Sequence, residues 1–221
     1  MLTSFARLLV LLTLGLVASV HAAETREPEN IFRLKQELSA YIDSGRYQED
    51  IAAVATEANT WLEERGAAKK PGERLALVLD IDETLLSNLS EIRGNDFGYR
   101  PVSWVPWVRS GQAPAIAPVL GIYRTARQLG LAVIILTGRT EGDRPGTEAN
   151  LRAVGVDDWV ALQFKAEDAT SNTGTFKAAW RERLTAEGWT IIANVGDQES
   201  DLAGGFAERN FKLPNPLYIT K

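Results

Sequence analysis

The stretch from Leu75 to Leu85, LALVLDIDETL, constrains this chain more than any other. A short apolar run bounded by polar residues reads as a strand buried on both faces. Asp80 and Asp82 fall where that strand gives way to a loop. In an open α/β sheet, ligands bind at the carboxyl ends of the strands. Two carboxylates this close repel each other unless a cation or a shared proton relieves them. The stretch therefore asks for a metal ion.

The rest of the chain supplies more strands of the same kind. Leu131–Leu136 is a second apolar run, ending in Thr137-Gly138-Arg139, and Trp189–Val195 is another, ending in Gly196-Asp197. Trp159–Phe164 and Asn210–Leu213 are shorter candidates. Between them Val119–Leu129, Pro145–Val154 and Thr175–Glu187 carry apolar residues at helical spacing, with Gly188 as a stop signal. Strands alternating with helices predict a mostly parallel sheet covered on both faces. Ahead of it, residues 28–66 predict two amphipathic helices, broken at Gly45 and ended by Gly66. Residues 87–118 depart from the rhythm. They are rich in Gly and Pro and hold Phe97, Tyr99, Trp104 and Trp107. They are too long for a simple loop, and read either as a lid over the carboxylates or as a small hydrophobic cluster.

Residues 1–22 have the pattern of a secretory signal peptide: Arg7, an apolar run from Leu8 to Val17, then small residues with a cut expected after Ala22. The run is short for a membrane span, which needs ~20 residues. The expected mature chain, 23–221, is one domain with no membrane anchor, periplasmic or secreted. The chain has no Cys, and its one His, His21, leaves with the signal peptide. Histidine nucleophiles, histidine general bases and His-based zinc sites are thereby excluded. A net charge of -5 and the lack of any basic block exclude a nucleic-acid polymer as partner.

Chemistry must therefore run on carboxylates, Lys, Arg and hydroxyls. In a parallel sheet the clusters at Asp80/Asp82, Thr137/Gly138 and Asp197/Asp201 share one edge, with Lys177 on a helix between them. That set fits phosphoryl transfer. Asp80, Asp197 and a backbone carbonyl can hold a hard cation, and Mg²⁺ suits few carboxylates plus a phosphate oxygen. Asp80 can attack phosphorus, and Asp82 can protonate the leaving oxygen and later activate water. The Thr137 hydroxyl, the Gly138 amide and the Lys177 ammonium can take the phosphoryl oxygens.

The sequence DIDETLLSN, the WVPWV region, ILTGRTE, Asn150-Leu151, FKAAWRERL, NVGDQESDL and FKLPNP together resemble the haloacid dehalogenase (HAD) superfamily. The resemblance is to its secreted acid phosphatase branch, subfamily IIIB, with bacterial class B and class C enzymes and the plant acid phosphatases and vegetative storage proteins. It implies a HAD-type Rossmann-like α/β fold, with a small cap insert at 87–118 and N-terminal helices. It also implies a Mg²⁺-dependent acid phosphatase acting on a small-molecule phosphate monoester. By the resemblance, Asp80 is nucleophile and metal ligand, Asp82 is acid/base with its main-chain oxygen on the metal, and Asp197 is a further ligand. Asp201 supports the metal directly or through water, and Thr137 and Lys177 clamp phosphate. Storage proteins of this branch can lose the nucleophile, which is present here as Asp80. The alternatives that stay open are a binding or storage protein without turnover and a phosphotransferase.

Overall fold

Strand β1 (Arg74–Leu79) is the centre of the molecule. In the computed structural model, which describes residues 27–220, two helices precede it, α1 (Ile31–Asp43) and α2 (Arg46–Ala67). The signal peptide expected over 1–22 lies outside the described residues. After β1 come α3 (Leu89–Gly94), α4 (Pro101–Ser110), α5 (Ala117–Gln128), β2 (Ala132–Thr140) and α6 (Arg144–Ala153). Then follow β3 (Ala161–Lys165), α7 (Thr173–Ala186), β4 (Trp189–Gly196), α8 (Glu199–Leu202) and β5 (Arg209–Lys212). Five parallel strands form one sheet in the order β3-β2-β1-β4-β5. The chain leaves β1 toward β2 on one side and reaches β4 on the other, so the switch point of the topology lies between β1 and β4. Ligands of open α/β sheets bind in the crevice there.

Alternation along β1 explains why it is central. Leu75, Leu77 and Leu79 join a core with Leu62 of α2, Val119 and Ile122 of α5 and Leu151 of α6. Ala76 and Val78 join a second core with Ile134 and Leu136 of β2 and Leu184 of α7. Fully burying a leucine contributes about 1.5–3 kcal/mol, so a one-residue slip in this strand would exchange both faces at once. Leu79 lies beside Ile135 of β2 and Val195 of β4. That register brings the ends of the three strands level.

The N-terminal helices pack on the first core through Tyr47, Ile51, Ala55, Ala58 and Leu62. Gly45 makes the turn between them at φ 86°, a left-handed conformation that suits glycine. Gly66 does not end α2. The helix runs to Ala67, where the Ala68 amide still donates to the Glu64 carbonyl, because the following alanine is a good helix former. Among the described residues no helix is long and apolar enough to cross a membrane.

Residues 87–118 are more regular than their composition suggests, since they hold α3 and α4. Pro101 opens α4, where a missing N–H is tolerated. Pro106 lies inside α4 on an exposed position, so the amide bond it forgoes faces solvent. The segment is fastened to α6 at two points. Asn150 accepts from the Ala113 amide at 3.0 Å and donates to the Ala113 carbonyl at 2.8 Å. At Gly146 a Cβ would lie 2.8 Å from both the Arg109 Cα and the Val108 carbonyl oxygen, so only glycine lets α4 come this close.

Candidate active site

Asp80 leaves the end of β1 with its amide donating to the Val195 carbonyl of β4 at 3.1 Å. Asp197 follows β4 directly, and Asp201 stands on α8. One carboxylate oxygen from each of Asp80, Asp197 and Asp201 lies within 4.8 Å of the others, and all three residues are buried. Lys177 of α7 reaches between them. Its ammonium donates to Asp80 Oδ1 and, at 2.6 Å, to Asp201 Oδ1.

Local structure explains how Asp201 arrives there. A Cβ on Gly196 would sit 2.4 Å from the Asp201 Cβ, so the glycine before Asp197 makes room for the second acid. Asp201 Oδ2 accepts the Gln198 amide at 2.9 Å. Arg181, one turn after Lys177 on α7, is fully buried. It donates to the carbonyls of Asp201 (2.7 Å), Gly205 (2.9 Å) and Ala203, which pins α8 and the loop after it. A guanidinium with several fixed donors suits that task better than a lysine.

The electrostatics ask for more positive charge than the chain supplies. Burial pushes the Asp80 carboxyl well up, Lys177 pulls it back, and Asp201, Asp197 and Asp82 push it up again. Asp197 is raised to about 6 by burial and by Asp201, against donors from Asn215 and Gln198. Burial opposes the charge on Lys177, but Asp80 and Asp201 outweigh it and hold its pKa above the usual lysine range. Four carboxylates thus face two cations, Lys177 and Arg139. Three hard oxygen donors on one side of such a cluster fit a divalent cation with water and substrate in its other positions.

Asp82 is held differently. Arg139 donates from Nη2 to Asp82 Oδ1 at 2.7 Å and from Nε toward both oxygens at 3.2 Å. Asn88 Nδ2 adds a bond to Oδ1 at 2.8 Å. Burial raises this carboxyl, but the charge and hydrogen bonds of Arg139, with Asn88, hold it below the usual range.

These partners were not among the site residues read from sequence. Arg139 and Asn88 lie inside the motifs ILTGRTE and DIDETLLSN, and the motif itself was their only signal. Asn215, in FKLPNP, donates to Asp197 Oδ2 at 2.5 Å, beside Gln198 at 2.6 Å. Glu83 is buried at a left-handed φ of 52°. It accepts from the Asn88 amide at 2.6 Å, from Asn88 Nδ2 at 3.1 Å and from the Tyr218 hydroxyl at 2.9 Å. Burial and the Asp82 charge raise it to about 7.

A cavity of about 830 Å³ opens above this rim. Its floor includes Asp80, Asp82, Gly138, Lys177, Asp197 and Asp201. The expected site residues therefore meet around one space, except that Thr137 stands one step back. Thr137 is fully buried and its hydroxyl accepts the Arg139 amide at 3.1 Å. Strand β2 continues past the expected end at Leu136 to Thr140, but its pairing with β3 breaks register between Leu136 and Thr140. That break leaves the exposed Gly138 in the cavity wall. The other wall comes from 87–118, with Phe97, Tyr99 and Trp104. Tyr99 and Trp104 lie 5.8 Å apart, their rings tilted at 56°. Trp107 takes the other course and packs against the main core. The segment thus faces the cavity through Tyr99 and Trp104 and the main core through Trp107, with Phe97 touching both.

Comparison with known proteins points the same way as this geometry. The family described as HAD superfamily, subfamily IIIB (acid phosphatase), matches residues 11–221. The acid phosphatase 1 of Solanum lycopersicum is 40% identical over 146 residues, covering 64% of this chain and 57% of its own. The chain thus spans little more than half of that relative. The stem 28 kDa glycoprotein of Glycine max is 35% identical over 185 residues, covering 80% of this chain and 71% of its own. The class C acid phosphatase of Bacillus anthracis shares the fold, with a TM-score of 0.67 at 21% identity over 84% of this chain and 86% of that one. A five-stranded parallel sheet, an acidic rim at its switch point and a match over nearly the whole length place this chain in the HAD superfamily, subfamily IIIB, the acid phosphatase family.

Proposed function

We propose that this protein is an exported, Mg²⁺-dependent phosphomonoesterase that works through an aspartyl phosphate. The observation that carries the reading is the meeting of Asp80, Asp197 and Asp201 at one cavity, with the Lys177 ammonium bridging Asp80 and Asp201. The similarity to the tomato acid phosphatase supports the reaction class. Residues 1–22 are read as its signal peptide, 23–221 as one domain, and 87–118 as a small cap.

Asp80, Asp197 and the Asp82 main-chain oxygen would hold the Mg²⁺, with Asp201 supporting the shell directly or through water. When bound, the ion would offset the repulsion between a phosphate dianion and an attacking carboxylate. The Asp80 carboxylate attacks phosphorus, and the bond from phosphorus to the ester oxygen breaks. Asp82, having taken a proton from solvent before the ester binds, gives it to that oxygen and returns to the carboxylate that Arg139 favours, so the ion pair assists the proton's departure. Asp82 then takes a proton from water as the water oxygen displaces Asp80 from phosphorus. Lys177 and the Gly138 amide receive the phosphoryl oxygens, with Thr137 fixing the strand end behind them. Phe97, Tyr99 and Trp104 form the wall that meets the organic part of a small monoester.

The test is hydrolysis of a chromogenic phosphate ester with Mg²⁺, with chelator, and by Asp80→Asn. Metal-dependent turnover lost in the variant is the expected result. Wild type inactive with metal from acid to neutral pH would return the chain to the binding or storage reading. A new ester formed with an added alcohol would mark it as a phosphotransferase.

A further inference from the structure

We propose that Asn88 is a positioning residue for the acid/base Asp82, and that Trp107 of the cap helix α4 sets it. The cap would then take part in proton transfer as well as in substrate fit. This rests on the reading of Asp82 given above.

Asn88 is polar yet fully buried, and each of its side-chain groups is used. The Trp107 Nε1–H donates to Asn88 Oδ1 at 2.8 Å. Asn88 Nδ2 donates to Asp82 Oδ1 at 2.8 Å and to Glu83 Oε2 at 3.1 Å. An indole N–H can only donate, so the Asn88 oxygen faces Trp107 and the amide nitrogen faces Asp82 and Glu83. The tryptophan therefore selects the orientation of the amide. Turned over, it would set N–H against N–H and its carbonyl against two carboxylates, leaving buried polar groups unpaired.

The consequence falls on one oxygen of Asp82. Oδ1 carries the short bonds from Asn88 and from Arg139 Nη2 at 2.7 Å. Oδ2 carries only the 3.2 Å contact from Arg139 Nε. Oδ2 is thus the oxygen left for a leaving group, and Asp82 lines the cavity. The carboxylate is gripped by two residues, Arg139 on β2 and Asn88 just ahead of α3. Only the second grip is tied to the cap. Without the indole N–H, the Asn88 carbonyl is a buried acceptor without a partner, and the amide is fixed from one side only, through its bonds to Asp82 and Glu83. The Asn88 grip on Asp82 then loosens while that of Arg139 stays.

A packing role for Trp107 and a positioning role predict different losses. Acid assistance matters most when the leaving oxygen is a poor anion, as in an aliphatic alcohol, and least for a nitrophenolate. The parameter to compare is kcat/KM, which covers steps up to departure of the leaving group, whereas the later water step is common to all esters. In the full chain with Mg²⁺, Trp107→Phe is expected to lose about tenfold in kcat/KM on an alkyl phosphate and less than about twofold on nitrophenyl phosphate. Asn88→Ser, which removes the bond itself, should show the same skew, reaching about a hundredfold on the alkyl ester. Both are measured at a temperature where each variant melts cooperatively above it. If Trp107→Phe does not fold, Asn88→Ser decides alone. Equal losses on the two esters, or none on either, would overturn the relay while leaving the phosphatase reading intact. A wild type that hydrolyses neither ester would overturn both.

Discussion

The acidic rim and the cap wall enclose the same cavity but are held by different means. The rim sits on the ends of β1 and β4 and on α8. Its position follows from a sheet register fixed by fully buried residues such as Leu77, Leu79 and Val195. The cap is two short helices that join the body mainly through side chains, among them Asn150 on Ala113, Trp107 on Asn88 and the buried Ile92 and Val108, with Gly146 lying under Arg109. The rim should therefore tolerate changes of side chain without moving, and fail in chemistry. The cap should fail in geometry while the chemistry remains.

The sharpest test of that contrast is at Asp80. Asp80→Asn keeps the volume and the strand but removes the nucleophile, and turnover of a chromogenic ester should fall at least about a thousandfold. The circular dichroism spectrum should not change. A residual activity within tenfold of wild type would remove Asp80 from the role given to it.

Metal should act on the rim next most strongly. A cation that binds only the folded chain stabilises it by about 2.7 kcal/mol at a hundredfold excess over Kd. Adding Mg²⁺ to chelated protein should raise Tm by several degrees, and Asp197→Asn should blunt that rise. An equal rise in wild type and variant would place the ion elsewhere.

On the cap side, Gly146→Ala forces α4 away from α6, because the new Cβ meets backbone rather than a flexible side-chain end. Overpacking of this kind costs about 1–3 kcal/mol, read as a lower Tm. KM should rise severalfold, with kcat on nitrophenyl phosphate nearly kept. A collapse of kcat with KM unchanged would mean that cap and rim are not separable in this way.

The smallest effect belongs to a pair outside both regions. Arg65 bridges Glu73 and Glu208, and its hydrogen bonds hold the Glu73 carboxyl below the usual range. A carboxyl whose pKa is lower when folded adds stability above its ordinary pKa, and that stability is lost as the pH falls through the folded-state value. Glu73→Gln should therefore lower Tm slightly at neutral pH and not at strongly acidic pH, with activity unchanged. A difference that persists in acid would mean the pair acts by packing rather than by charge.

How far the sequence could be read follows from the same contrast. Buried strands announce themselves through apolar runs, so β1, β2 and β4 and their polar ends were legible, and with them Asp80, Asp197, Asp201 and Lys177. Lys177 was legible as a phosphate-binding charge on a helix, not as the partner of two acids. That it lies between Asp80 and Asp201 follows from α7 crossing the sheet face, with Arg181 one turn on anchoring α8. Helices α3 and α4 were hidden by Gly and Pro, which weaken a helical pattern without forbidding one at Pro101 or at an exposed Pro106.

By itself the sequence determined the alternation of strands and helices and the acids at the strand ends. Those are local or periodic properties, carried by neighbours a few residues apart. Only the tertiary structure decided that Asn88 faces Asp82 with Trp107 behind it, that Asn215 reaches Asp197, and that Thr137 stands behind Gly138 rather than in the cavity. Hydrogen bonds between residues far apart in the chain leave no period to read. They exist because a packed core fixes both ends, and the pattern of apolar residues records the core but not the partners it brings together.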